Sequence, residues 1–292
     1  MSELAIEIRG LVKTFPSFQL GPLDLSVPSG AIYGLIGPNG AGKTTTIDLL
    51  LGMGRKNAGS MRVFGLDSER DEVAIKKRIG YVSPDLSFLP WGRVRKLVNF
   101  VRSFYDDWDD QYCRFLIERL KIDWNERISA LSFGNRVKVS LLLALSHRPD
   151  LLLLDEPTAG LDAVSKQQIF SQLLSAVQDE QRTVLIASHG LADVERFTDH
   201  LGMIKDGRLL LQGSTGEIVD RFRMVDFVAA AGFHPNGVPG VFVQSQKGER
   251  WQALVDMQAD AVERLKARGA RDVSLSPVTL EDLFIALAKE ED

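Results

Sequence analysis

The segment GAIYGLIGPNGAGKTTTIDLLLGM, residues 30–53, decides how the rest of the chain is read. Ala31 to Ile36 is a short apolar run, the mark of a buried strand, and Thr44 to Leu51 reads as a helix. Between them Gly37, Gly42, Lys43 and Thr44 fit the spacing G-x-x-x-x-G-K-[ST]. That spacing makes a phosphate cradle. Glycines let successive backbone N–H groups turn inward without a Cβ in the way, and the helix start adds a partial positive charge. Lys43 is suited to the β- and γ-phosphates of a nucleoside triphosphate, and the Thr44 hydroxyl to Mg²⁺. Strand, loop and helix in this order predict an α/β chain with a P-loop core.

A second segment, HRPDLLLLDEPTAGLD (147–162), supplies the matching half of such a site. Leu151 to Leu154 is too short for most helices and is bounded by Pro149 and Pro157, so it reads as a buried parallel strand. It delivers Asp155 and Glu156 at its C-terminal edge, where open α/β sheets bind ligands. Asp155 is the candidate for the Mg²⁺ shell, and Glu156 the candidate to orient or deprotonate an attacking water. A third strand, RTVLIAS, ends at His189, at the same edge. By itself a lone histidine there reads as structural.

The motif LSFGN (131–135) opens an apolar helix carrying Val137, Val139, Leu141, Leu142, Leu143 and Leu145. Its serine reads as an N-cap, or as part of a helix start facing an anion that another segment brings.

Length and composition bound the answer. A chain of 292 residues suggests one large domain and a smaller one. With 45% hydrophobic residues it can bury a substantial core, and a net charge of −4 gives no general attraction to nucleic acid or anionic lipid. Its single cysteine, Cys113, excludes a disulfide framework and a cysteine-cluster metal site. The start, MSELAIEIRG, lacks the order of a signal peptide, and no apolar run reaches the roughly 18 residues of a membrane helix. The expectation is a soluble intracellular chain.

Taken in order, GPNGAGKTT, LSFGN, LLLLDEP, AGLD and IASH resemble the ATP-binding subunit of an ABC (ATP-binding cassette) transporter over about residues 4–221. The resemblance implies a RecA-like P-loop NTPase core, an antiparallel β subdomain near the N-terminus and a helical subdomain at about 84–131. It implies that Gly37, Pro38, Asn39, Gly40, Ala41, Gly42, Lys43, Thr44 and Thr45 hold ATP and that Phe15 stacks on adenine. It makes Glu156 catalytic, His189 a γ-phosphate contact and Asp162 a dimer-interface residue. LSFGN sits at the family signature, usually LSGGQ. Ser132, Phe133, Gly134 and Asn135 would therefore face the ATP of a second subunit, identical or paralogous, in a head-to-tail dimer. The chain would then drive a separate membrane permease from the cytoplasmic face, with permease helices docking near Pro84 to Asn99.

Pro84 stands where the family has a glutamine or an acid that reaches the metal. Either Asp85, one position later, supplies that oxygen, or the junction has no direct metal contact.

Within the helical region, Trp108, Tyr112, Phe115, Leu116 and Leu120 are expected to form one apolar stripe, with Asp106, Asp107, Asp109 and Asp110 crowding the helix start. Arg93, Arg95, Lys96 and Arg102 read equally as permease-facing or solvated. After about Arg221, a small α+β appendage (222–292) is predicted. Its strands lie at Val241 to Gln244, Trp251 to Val255 and Asp272 to Leu275, and its helices at Ala259 to Arg268 and Leu280 to Ala288, the last capped by Thr279. Its final helix is similar to the ends of ABC-2-type exporter ATPases, which implies export. Two other classes share these motifs: a soluble ABC ATPase acting on a macromolecular partner, and a non-catalytic ATP-binding clamp. No long coiled-coil insert, second cassette or zinc cysteines favour the first, and Glu156 with His189 argue against the second.

Overall fold

A computed structural model describes residues 3–83, 92–177, 182–230, 232–235 and 237–289. Strands β1 (Leu4–Phe15) and β2 (Phe18–Pro28) form a hairpin, and β3 (Ile32–Ile36) runs through the P-loop into α1 (Lys43–Leu50). Next come β4 (Ala58–Val63), β5 (Leu66–Asp67), α2 (Glu72–Lys77) and β6 (Ile79–Val82). Helices α3 (Val94–Arg102), α4 (Asp110–Arg119) and α5 (Phe133–Leu145) follow. The α/β alternation resumes with β7 (Leu151–Asp155), α6 (Ala163–Val177), β8 (Thr183–Ser188), α7 (Leu191–Glu195), β9 (His200–Lys205), β10 (Arg208–Ser214) and α8 (Thr215–Arg221). The chain closes with β11 (Phe222–Val228), β12 (Val241–Lys247), β13 (Arg250–Asp256), α9 (Ala261–Ala267), β14 (Arg271–Ser276) and α10 (Leu280–Lys289).

Among the described residues three sheets form: an antiparallel one in the order β2-β1-β4-β5, a central one in the order β10-β9-β3-β8-β7-β6, and an antiparallel one in the order β12-β13-β11-β14. All central pairings are parallel except β9 with β10. Strand β7 is buried along its whole length because both faces of the central sheet are covered. Leu151 and Leu153 join the core under the N-terminal sheet and α1, whereas Leu152 and Leu154 join the core under α3 to α6. This is the two-residue period of a strand serving two cores. Helix α5 lies between β6, α4 and α6, which explains why its apolar residues run nearly all round.

In α4 the predicted stripe is only partly realised. Tyr112, Leu116 and Leu120 are buried and Trp108 packs against the same core, but Phe115 is exposed. Phe115 lies on the flank instead, stacked on Tyr112 and beneath the Arg119 guanidinium. The acids divide their work. Asp109 caps the helix by accepting from the Tyr112 N–H, and it also accepts from Arg148 Nε; Asp106 pairs with Lys77 and Asp110 with Arg102.

The C-terminal region departs from expectation in two places. β11 was not anticipated, because FRMVDFV does not alternate cleanly: Val225 and Phe227 enter one core, while Phe222 enters another. The helix expected at Ala259 to Arg268 is broken. A single 3₁₀ turn at Met257–Ala259, capped by the Asp256 carboxylate, precedes α9, and Asp260 between them adopts φ 50°. The final helix has a reciprocal capping box. Thr279 Oγ1 accepts from the Asp282 N–H, and the Asp282 carboxylate accepts from Thr279 N–H and Oγ1.

Arg221, ending α8, holds the Asp256 carboxylate through two nitrogens, tying α8 to the end of β13. The guanidinium hydrogen bonds hold the Asp256 carboxyl below the usual carboxylate range. A depressed folded-state pKa means this stabilisation is present above the unfolded value, about 3.9, and disappears as pH falls through the folded value. Asp256→Asn is expected to lose about 1–2 kcal/mol at neutral pH, a figure discounted for the part-exposed arginine. Denaturant titrations should show the wild-type and variant stabilities converging in acid.

Candidate nucleotide site

The register of the central sheet creates the site. Ile36 of β3 lies level with Ser188 of β8, and Asp155 of β7 lies level with Ala187. The P-loop, the Asp155–Glu156 pair and His189 therefore leave the sheet at one edge. The Gly37 N–H donates to the Ser188 carbonyl at 3.3 Å, continuing the β3–β8 pairing into the loop. Gly37 has no room for a side chain: a Cβ there would lie 2.0 Å from the Ile204 carbonyl oxygen. Gly40 and Gly42 take left-handed φ of 81° and 105°, and the Gly207 N–H fastens the loop by donating to Ala41 O.

Lys43 is the first residue of α1, and Gly42 before it supplies no side-chain cap. The helix start is thus free of a competing acceptor, which suits a phosphate. The Lys43 ammonium is only 5% exposed and donates to Gly37 O at 2.8 Å and Pro38 O at 3.1 Å. Its third neighbour is Glu156 Oε1 at 3.3 Å, a charge contact without hydrogen-bond geometry. The other Glu156 oxygen meets His189 Nδ1 at 2.8 Å. Glu156 itself holds a left-handed φ of 45°, costing roughly 1 kcal/mol for a non-glycine residue, while its N–H donates to Ala187 O. That backbone turn aims the carboxylate back across the strand end toward Lys43.

Asp155 is buried beside Thr44, and burial, with Glu156 and Asp48 nearby, raises its carboxyl above the ordinary range. Its Oδ1 has no hydrogen-bond partner. A buried carboxylate oxygen without a partner, on a side chain next to a threonine, is a donor set of the hardness that Mg²⁺ takes. Asp85 and Pro84 lie outside the described residues.

Beside the P-loop opens a cavity of about 570 Å³ lined by Phe15, Pro16, Ser17, Phe18, Asn39, Gly40, Gly42, Lys43, Thr44, Thr45 and Glu156. Phe15 is 39% exposed, with its ring 6.2 Å from that of Phe18 and the Lys13 ammonium 5.4 Å away. Phe18 was not anticipated from the sequence. Its position two residues beyond the turn proline in FPSF was the available signal. Gly37, Pro38, Ala41, Asp155 and His189 are not among the lining residues: Ala41 is buried in the core under the N-terminal sheet, whereas Pro38 is exposed.

The signature residues are elsewhere. Ser132 caps α5 by accepting from the Asn135 N–H, Phe133 is exposed beside it, and Gly134 approaches Leu161. None of them lines the cavity. Asp162 likewise caps the start of α6, accepting from Val164 N–H, Ser165 N–H and the Ser165 hydroxyl, bonds that keep its carboxyl below the usual range.

This geometry agrees with the relatives of the chain. Residues 20–159 match the family model described as ABC transporter. Nod factor export ATP-binding protein I of Paraburkholderia xenovorans (strain LB400) is 31% identical, with 100% of this chain and 99% of that protein covered. The chain belongs to the ABC transporter ATP-binding protein family. Two other members are similar to it. The daunorubicin/doxorubicin resistance ATP-binding protein DrrA of Streptomyces peucetius is 35% identical over 73% of this chain and 66% of its own length. The ABC transporter ATP-binding protein YtrB of Bacillus subtilis (strain 168) is 28% identical over 96% of this chain and 97% of its own length. Among solved structures, cbiO1 of Clostridium perfringens, part of the ABC transporter complex cbiONQ, superposes with a TM-score of 0.65 at 24% identity, covering 74% of this chain and 91% of its own. An ATP-binding cassette in its ADP conformation gives 0.64 at 25%, covering 75% and 94%. The chain is therefore an ABC-type ATPase subunit with the P-loop NTPase fold. Among the described residues no helix is long and apolar enough to cross a membrane.

Gly37 and Gly40 should separate packing from backbone conformation. Gly37→Ala drives a Cβ into backbone and is expected to cost about 2 kcal/mol or more and to abolish tight ATP binding. Gly40→Ala meets no atom within 4 Å, so only its positive φ is penalised, by roughly 1 kcal/mol. Thermal denaturation with equilibrium nucleotide titration measures both.

Proposed function

We propose that the chain hydrolyses ATP with Mg²⁺ as one half of a head-to-tail dimer and so drives a separate membrane permease in export. The observation that carries this reading is the meeting of Lys43, Thr44, Asp155, Glu156 and His189 at one sheet edge beside an open cavity. Adenine stacks on Phe15. The P-loop from Gly37 to Thr45 receives the phosphates, and Lys43 exchanges its contact with Glu156 for the β- and γ-oxygens. Thr44 and Asp155 would hold Mg²⁺, which would neutralise phosphate charge. Glu156 then aligns water for attack on the γ-phosphorus, and His189 contacts the γ-phosphate.

The chain has one P-loop and one signature, and the signature stands apart from its own cavity. In the dimer, each Ser132–Asn135 helix start faces the partner's γ-phosphate, with Asp162 at the interface. Closure follows from γ-phosphate held by both halves, and opening from its loss. Residues 1–221 form the ATPase unit and 222–292 an accessory unit. Docking of permease helices beside the helical region keeps the subunit on the cytoplasmic face of the membrane. Names of relatives concerned with Nod factor export and drug resistance support the outward direction.

Glu156→Gln should bind ATP yet turn it over at least about a hundredfold more slowly, accumulating as an ATP-bound dimer seen by size-exclusion chromatography. Lys43→Ala should instead lose ATP affinity, because it deletes a ground-state contact. Near-normal turnover of the Glu156 variant would remove that residue from its role.

A mixing experiment tests the shared site. Ser132→Arg alone should be inactive, and combining it with Lys43→Ala subunits should restore activity through one intact composite site. Wild-type turnover by Ser132→Arg alone would contradict a signature acting across the interface.

A further inference from the structure

His189 is delivered by a short element. Ser188 ends β8, its hydroxyl accepts from the Gly190 N–H at 3.0 Å, and α7 begins at Leu191. Five residues make too few helical hydrogen bonds to stand alone, so what α7 packs against fixes its position. On one side is β3. A Cβ on Gly34 would fall 2.2 Å from Val194 Cγ1, so Val194 of α7 fills the space that this glycine leaves. On the other side is α10, whose buried Leu280, Leu283 and Ala286 share one apolar cluster with Val194 and with Leu191.

The far end of α10 is fixed as well. Lys205, the last residue of β9, donates from Nζ to the Ala288 carbonyl at 2.6 Å, the favourable arrangement of a cation at a helix C-terminus. One residue earlier, the Ile204 carbonyl is the atom against which Gly37 packs. The last helix of the chain therefore presses on the segment behind His189 and is tethered to the strand behind the P-loop.

We infer that α10 is a brace that positions His189 through α7, which makes Leu283 a positioning residue for ATP hydrolysis and the C-terminal unit a control element of the nucleotide site. The inference rests on the reading of His189 as the γ-phosphate contact. Leu283 touches no reacting atom. It acts by keeping Val194 seated on Gly34, so that the imidazole is held against Glu156. Shortening Leu283 lets α7 relax toward the vacated space, and misplacement of a catalytic contact on the scale of 1 Å can reduce rate by about a hundredfold.

The test uses the full chain carrying Leu283→Ala or Leu283→Met, each alone and with His189→Ala. Turnover, ATP affinity and the histidine ring resonances are measured, with the His189 signals assigned by their loss in His189→Ala. Leu283→Ala is expected to lower turnover about tenfold or more, to leave the ATP Kd within about twofold, and to shift the His189 resonances while those of His147 stay put. Leu283→Met should restore both. In the His189→Ala background Leu283→Ala should cause no further loss, since it acts through the missing ring. Unmoved His189 resonances, or losses that multiply in the double variant, would overturn the brace. Wild-type turnover by His189→Ala would instead overturn the role of His189 itself. Should Leu283→Ala fail to fold, Lys205→Gln releases the end of α10 without opening the core. The same displacement of the His189 signals is then expected, and its absence counts against the proposal.

Discussion

The ammonium of Lys43 lies almost wholly out of solvent, and a charge in that position must find oxygen inside the protein. Two loop carbonyls and the Glu156 carboxylate provide it, and each imposes a condition on the fold. The carbonyls of Gly37 and Pro38 reach Lys43 only because the loop folds tightly over the start of α1. That requires Gly37 to lie against Ile204 with no side chain between them. Glu156 reaches it only because the backbone turns left-handed immediately after β7. Bringing β3, β7 and β8 to one level in a parallel sheet is what places these three requirements within a few ångströms of each other.

The resting arrangement is thus an internal charge balance. One carboxylate contacts both a lysine and a histidine, and next to it a second, more deeply buried carboxylate keeps one oxygen unpaired. Such a site is electrostatically incomplete in a specific way. Its buried cation leans on a carboxylate that it meets without hydrogen-bond geometry, and Asp155 has an oxygen with no partner. A triphosphate would answer the first condition and a divalent ion the second, as the proposed function requires.

The third sheet is not an independent attachment. Ile36, Leu201 and Met203 of the central sheet share a core with Phe222 and Leu254 of the C-terminal sheet and with Leu280 and Leu283 of α10. The Arg221–Asp256 pair joins the two regions at a second point. Helix α10 is therefore packed in one continuous core with the strands whose ends carry the P-loop and His189.

The sequence by itself determined the parts that are local. Gly37 to Thr45, the buried run ending at Asp155 and the β8 segment before His189 were legible because phosphate binding and burial on two faces each demand a short, characteristic string of residues. The capped starts of α5 at Ser132 and α10 at Thr279 were legible for the same reason. What only the tertiary structure decided depends on which surfaces meet. Phe115 turned outward because Tyr112 and Leu116 already fill the core side of α4. Strand β11 escaped notice because two cores claim its residues, which erases the alternation that marks a one-sided strand. Phe18 joined the cavity through the turn that brings β2 back along β1, and the partnership of Glu156 with Lys43 and His189 arose from sheet register. A register is a relation between strands distant in sequence, fixed by side chains packing from both faces, and no single segment contains it.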